Sequence, residues 1–204
     1  KHDHSKGAIG NLIIREAGHP VPDEASYSST QQAIDLVENL TAQDLVLFLL
    51  SGGGSALFEK PLVSAEEMDD ITHQLLACGA DIVEMNTLRK RLSAVKGGKF
   101  AKLCAPAHVF SVVLSDILGD PLDMIASGPA YPDSSTKEQA LAVVKKYQLK
   151  LSDTALALLE TETPKELDNV ETHITGSVRQ LCAAASEKCA ELGYRPIVLS
   201  ASVS

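Results

Sequence analysis

The chain contains no apolar stretch approaching 18 residues, and it does not open on a charged segment followed by an apolar one. The expectation is therefore a soluble, cytoplasmic protein with no membrane partner. Both common nucleotide fingerprints are missing as well. Neither G-x-x-x-x-G-K-[ST] nor G-x-G-x-x-G occurs, which counts against a P-loop and against a simple NAD enzyme. Basic residues are few, with 18 Lys and Arg against 27 Asp and Glu for a formal charge of −9. A polyanion needs a basic surface, so no nucleic-acid partner is expected. The four cysteines, Cys78, Cys104, Cys182 and Cys189, form no C-x-x-C pair and lie in segments of helical pattern, which suits reduced core thiols. No internal repeat, low-complexity tract or heptad is present.

What is there suffices for a core. With 204 residues, 45% hydrophobic and 22% charged, the chain suits one α/β domain or a domain with the start of another. It begins with Lys1 and ends on an apolar extended run, the pattern expected of a fragment. Residues 45–50 are continuously apolar, as in a parallel-sheet strand covered on both faces. That run ends in Ser51, Gly52, Gly53, Gly54 and Ser55. Three glycines remove every Cβ from the turn, so its N–H groups can converge on phosphate or carboxylate oxygens.

The sparse basic residues are unevenly placed. Arg89, Lys90, Arg91, Lys96, Lys99 and Lys102 fall together, and no Asp or Glu occurs from Met85 through Ser115. Read as a helix over 84–99, the segment carries an apolar stripe of Met85, Leu88, Leu92 and Val95. Its polar stripe holds Asn86, Arg89 or Lys90, Ser93 and Lys96. Such a face can grip a small anion, Arg in bidentate fashion and Lys as a point charge.

Other segments are read from the same patterns. Residues 12–15 form a short strand, followed by a stiff loop in which Pro20 and Pro22 frame His19 and Asp23, and a helix over 28–39 packs through Ala33, Val37 and Leu40. Strand, helix and strand then make one parallel unit. Ser64 and Glu67 have the form of a capping box. After a buried strand at 109–114, Asp116 occupies the carboxyl end of a strand, where a metal-binding carboxylate is useful. Asp120 and Asp123 flank Pro121 and fit helix capping equally well. Helices over 136–148 and 152–161, a strand near 171–177, a cysteine-containing helix ending at Gly193 and a strand over 194–199 complete the reading. His2 and His4 share one face of an extended start, a weak metal-ligand pattern.

Three loops carry a resemblance: residues 16–23 (EAGHPVPD) with 51–56 (SGGGSA), residues 86–98, and Ser115 and Asp116 with Gly119, Asp120 and 125–129 (IASGP). Together they resemble the glycerate 2-kinases of the type that ends in a MOFRL domain. The resemblance implies a three-layer α/β/α domain with a mainly parallel, Rossmann-like sheet over 1–193, and the start of a smaller C-terminal domain over 194–204. It implies ATP-dependent phosphorylation of D-glycerate to 2-phosphoglycerate, with Mg²⁺, in an interdomain cleft, and it allows a homodimer. On this reading the 51–55 loop cradles phosphate or glycerate oxygens, and Asn86 and His19 bind substrate or phosphate with it. Arg89, Lys90 and Lys96 neutralise anionic groups, and Asp116 and Asp120 hold Mg²⁺. The general base is unassigned. Arg91 departs from the His common in the family, and Ala130 and Val178 depart from its usual Thr and Asn. A hydroxypyruvate reductase and a non-catalytic nucleotide-binding domain are the alternative readings.

Overall fold

The computed structural model describes residues 1–5, 7, 9–115 and 121–199. The sheet grows from the two most apolar runs of the chain. β1 (Leu45–Ser51) pairs in parallel with β2 (His108–Leu114), which pairs in parallel with β3 (Val170–Gly176), giving the order β1-β2-β3. Parallel neighbours need crossovers, and the intervening chain supplies them as helices. α1 (Glu24–Val37) precedes β1, and α2 (Gly54–Leu57), α3 (Ala65–Ala77), α4 (Ile82–Leu92) and α5 (Lys99–Cys104) lie between β1 and β2. α6 (Lys137–Tyr147) and α7 (Asp153–Leu159) lead to β3, and α8 (Val178–Glu191) follows it. The chain is an α/β protein with a parallel sheet, as its apolar runs indicate.

Side-chain oxygens start most of these helices. Asp23, Asp81 and Thr136 each close a reciprocal capping box with the residue three positions on. Ser64 accepts from the backbone of Glu67, but the Glu67 carboxylate accepts from the backbone of Ser152 instead of returning to the cap. The helix is thereby tied to the start of α7.

The buried side chains fall into three groups. Met68, Ile71, Leu75, Leu88, Leu92, Ala140, Val143 and Leu159 join α3, α4, α6 and α7 away from the sheet. Ile34, Val37, Val95, Phe100, Ala101, Cys104 and Val109 pack α1 and α5 on the sheet. Phe48, Phe58 and Phe100 meet there with ring centroids 5.0 to 5.7 Å apart. The smallest group, Leu50, Val113, Ile125 and Ala126, lies at the carboxyl ends of β1 and β2. It supports the loops that carry the candidate site.

Several expectations are corrected. Residues 12–15 form no strand, because no ladder partner meets them beyond one isolated bridge between Ile9 and Leu12. The strand-helix-strand unit expected before the glycine loop is therefore absent among the described residues. Residues 194–199 are likewise irregular and largely exposed. α1 begins four residues earlier than its apolar pattern suggests and buries Thr30, Ile34 and Val37. Leu45, Leu47 and Leu49 are 60 to 69% exposed, so β1 is covered on one face only by the described residues. Apolarity states that a face seeks cover, not which segment provides it. Cys78 is exposed at the end of α3, leaving Cys104 as the fully buried thiol among the four.

The helix expected over 84–99 stops at Leu92. Ser93 turns extended and bridges Pro61, Leu62 N–H donates to the Leu92 carbonyl, and Ala94 N–H donates to the Lys60 carbonyl. The segment at 60–62 thus takes up backbone groups that another helical turn would use. Lys96 consequently lies in a turn rather than on the helical face of Asn86 and Arg89.

Candidate functional site

The glycine loop, the turn at 93–98 and the loop at 125–129 converge on the Lys96 ammonium. Lys96 is fully buried, and Nζ donates to the carbonyls of Gly54 at 2.8 Å and Ala126 at 2.9 Å. Burial lowers its pKa to about 8; Glu59 opposes that fall and Arg89 adds to it. Through its two carbonyl contacts the lysine cross-links two loops.

The 125–129 loop has an uncommon backbone. Ala126 (φ 50°), Ser127 (φ 61°) and Gly128 (φ 61°) are all left-handed, a conformation that costs non-glycine residues of order 1 kcal/mol each. Three successive donors offset that cost. The Ala126 carbonyl accepts from Lys96 Nζ, that of Ser127 from Gly97 N–H at 2.9 Å, and that of Gly128 from Gly98 N–H at 2.7 Å. Gly97 and Gly98 adopt positive φ themselves, 59° and 79°, which only glycine tolerates easily. Ser127 Oγ donates to Asn86 Oδ1 at 3.0 Å and fastens the loop to α4.

The glycine loop uses its glycines differently. None of its three has positive φ. A Cβ on Gly54 would lie 2.9 Å from Leu50 Cδ1 and 3.0 Å from Ala126 Cβ, so close approach of two loops is what requires glycine there. Ser51 is exposed, and Gly52, Gly53, Gly54 and Ser55 are half-buried. Among the described residues, neither the Ser51 nor the Ser55 hydroxyl has a hydrogen-bond partner. Two free hydroxyls and a side-chain-free backbone suit an oxygen-rich anionic ligand.

The expected cationic face divides. Lys90 is buried, with Nζ 3.0 Å from Asp133 Oδ1 and 3.2 Å from Asp123 Oδ2. Arg91 is buried beside it, donating to the Thr87 carbonyl and to both Oγ and the carbonyl of Ser135. Asp133 is itself fully buried. Burial would raise its pKa, but hydrogen bonds from Thr163, the Ser135 backbone and Lys90, with the Lys90 charge, hold it below the usual value. Lys90 is thus committed to carboxylates. Arg89 is half-buried and has no ion-pair or hydrogen-bond partner among the described residues. It lines a cavity of about 580 Å³ together with Pro20, Pro22, Asp23 and Glu59.

His19 is exposed and faces a different depression, with His2 and His4. Asp23 caps α1 and accepts from His2 at 2.7 Å, so its capping role accounts for it. His2 and His4 belong to no group of three or more metal-competent side chains, and none occurs among the described residues. Asp116 and Asp120 lie outside the described residues. Sequence reading missed Glu59. It is buried, its Oε2 has no partner among the described residues, and its charge acts on both Lys96 and Lys99. Only its unusual burial singles it out.

A parallel sheet whose carboxyl-end loops converge on a buried lysine defines an α/β fold of the open-sheet kind. The chain belongs to the family described as Domain of unknown function (DUF4147), whose model matches residues 1–160. It is 51% identical to the D-glycerate 2-kinase of Thermotoga maritima over 205 residues, all of this chain and 49% of that one. A glycerate kinase of Danio rerio is 39% identical over 94% of this chain and 41% of its own length. A putative hydroxypyruvate reductase of Agrobacterium vitis is 38% identical over 93% and 44%. The crystal structure of a Thermotoga maritima glycerate kinase superposes with a TM-score of 0.92, covering 98% of this chain and 49% of that one. The chain thus spans about half the length of these relatives.

Proposed function

We propose that this chain supplies the glycine loop and its supporting loops to an enzyme that phosphorylates D-glycerate at its 2-hydroxyl with ATP. The observation that carries the reading is the Lys96 cross-link between the glycine loop and the left-handed 125–129 loop. The similarity to proteins named glycerate kinase supports it. Phosphoryl transfer asks a protein for in-line positioning and charge neutralisation more than for covalent chemistry. The loop offers N–H groups and free hydroxyls for positioning, Arg89 an unpaired guanidinium for neutralisation, and Lys96 a fixed charge behind the glycines.

Mg²⁺, when bound, neutralises phosphate charge, and it commonly takes only one or two carboxylates with several waters. Asp116 and Asp120 are the proposed ligands, which fits that small donor set. Residues 1–193 are proposed as one domain and 194–204 as the start of a second, with the reaction in the cleft between them. A cytoplasmic setting and a homodimer belong to the same proposal. His19 and Lys90 serve it less directly, Lys90 by holding α4 against Asp133 and Asp123.

The test is ADP release by the full-length protein with ATP, Mg²⁺ and D-glycerate, with identification of the phosphoglycerate isomer. Arg89→Ala is expected to lower kcat/KM for glycerate by about 100-fold, the loss of one charge-assisted contact of roughly 3 kcal/mol. An unchanged value would remove Arg89 from the site. The name of the Agrobacterium vitis relative favours hydroxypyruvate reduction as the second reading. NADH oxidation with hydroxypyruvate and no ADP would establish that alternative.

A further inference from the structure

A cavity of about 470 Å³ lies between α1, α4, α5 and α7, and none of its lining residues belongs to the glycine loop or to the 125–129 loop. Its volume suits a small molecule. Ile34, Leu62, Leu103 and Leu158 form apolar walls, and Arg91 and Lys99 bring two cations to them. Both cations hold donors in reserve. The Arg91 guanidinium is fully enclosed, with Nη1 and Nη2 spent on Thr87 and Ser135 and Nη1 3.7 Å from Asp133 Oδ2, and its Nε–H has no acceptor among the described residues. Lys99 Nζ donates to the carbonyls of Arg91 at 2.9 Å and Ser93 at 2.6 Å, which leaves the third ammonium hydrogen free.

A carboxylate, Glu162, also lines the cavity, and it is already engaged. Its Oε2 lies 2.7 Å from Lys165 Nζ and 3.5 Å from Arg91 Nη2, and its Oε1 accepts from Lys137 N–H. With Arg91 facing Asp133 and Glu162, Lys99 is the lining cation that no carboxylate pairs among the described residues, so the cavity keeps one unit of positive charge beside apolar walls. An ammonium with a hydrogen to spare gains from an acceptor, so such a pocket is suited to one from outside.

We propose that this cavity binds a small monocarboxylate with a compact apolar tail, the carboxylate at Lys99 and the tail among Ile34, Leu62, Leu103 and Leu158. A dianionic phosphate ester would overfill the charge, and a neutral molecule would leave the Lys99 ammonium without the acceptor. Lys99 also holds the carbonyls that begin the turn leading to Lys96, so a bound acid would stiffen the segment that carries the loop cross-link.

The test uses the full-length protein and 4-methylpentanoate as the probe, measured by calorimetry. A Kd of about 1 mM is expected for so small a ligand, with 4-methylpentanamide at least about tenfold weaker. Leu103→Glu, at a partly exposed position on the rim, should weaken binding by at least about tenfold without disturbing the fold. Lys99→Met should weaken binding by a similar factor, and it should also lower stability because two carbonyls lose their donor. Absence of binding at about 10 mM, equal affinity for the amide, or binding unchanged in Leu103→Glu would each overturn the proposal.

Discussion

Two sets of buried cations lie within ten residues of each other and are satisfied in opposite ways. Lys90 and Arg91 face carboxylates, Asp133 and Asp123 for the lysine and Asp133 and Glu162 for the guanidinium. Lys96 and Lys99 face backbone carbonyls, two each. A carboxylate cancels the buried charge, whereas a carbonyl solvates it only in part. Both carbonyl-held lysines are accordingly lowered to about 8, chiefly by burial. The first set is a structural joint between α4 and the 133–135 turn. The second sets the geometry of loops.

The largest effect should come from breaking the carboxylate set. Asp133→Ala leaves Lys90 and Arg91 short of countercharge in a buried site and should destabilise the protein by about 3 to 5 kcal/mol in urea unfolding. Lys96→Met leaves the Gly54 and Ala126 carbonyls without their donor. A loss of about 2 to 4 kcal/mol in stability is expected, with a larger proportional loss of kinase activity if the loops form its site.

The same variant sharpens the comparison through pH. Lys96 has a folded pKa below its unfolded value, so the unfolded chain binds more protons between about 8 and the ordinary lysine range. Wild-type stability should therefore gain from Lys96 as pH rises through that window. Lys96→Met should lose this gain and keep the similar one from Lys99, which a series of urea midpoints from pH 7 to about 10.5 would reveal.

Gly54→Ala is expected to cost about 1 to 3 kcal/mol by forcing the two loops apart, read as a lowered Tm. The smallest effect belongs to an exposed pair. Glu84 is lowered to about 2 by hydrogen bonds from Lys146 and then Tyr147. Its contribution is present above its unfolded value near 4.5 and is lost as pH falls toward 2. Glu84→Gln should lower stability slightly at neutral pH, where the carboxylate contributes, and should flatten the acid limb of the stability curve.

Much of the scaffold follows from local pattern. The apolar runs gave β1 and β2, Thr136 and Ser152 cap the helices their spacing suggests, and Leu88 and Leu92 are buried as the α4 stripe requires. These outcomes depend on periodicity and on side chains bonding three residues away, both visible in a linear string. Residues 12–15 and 194–199 failed for the opposite reason. A strand exists only with a partner, and the string does not name one.

The candidate site was legible in its residues but not in its arrangement. Sequence alone determined that a glycine loop ends an apolar strand and that six cations cluster without an acid among them. It could not show that Asp123, Asp133 and Glu162, far along the chain, would turn Lys90 and Arg91 inward. Nor could it show that Lys96 would leave the helix and bond two loops, because pairing across 30 and 42 residues depends on how helices pack. Charge is written in the sequence, but its solvation is decided by the neighbours that tertiary structure assembles.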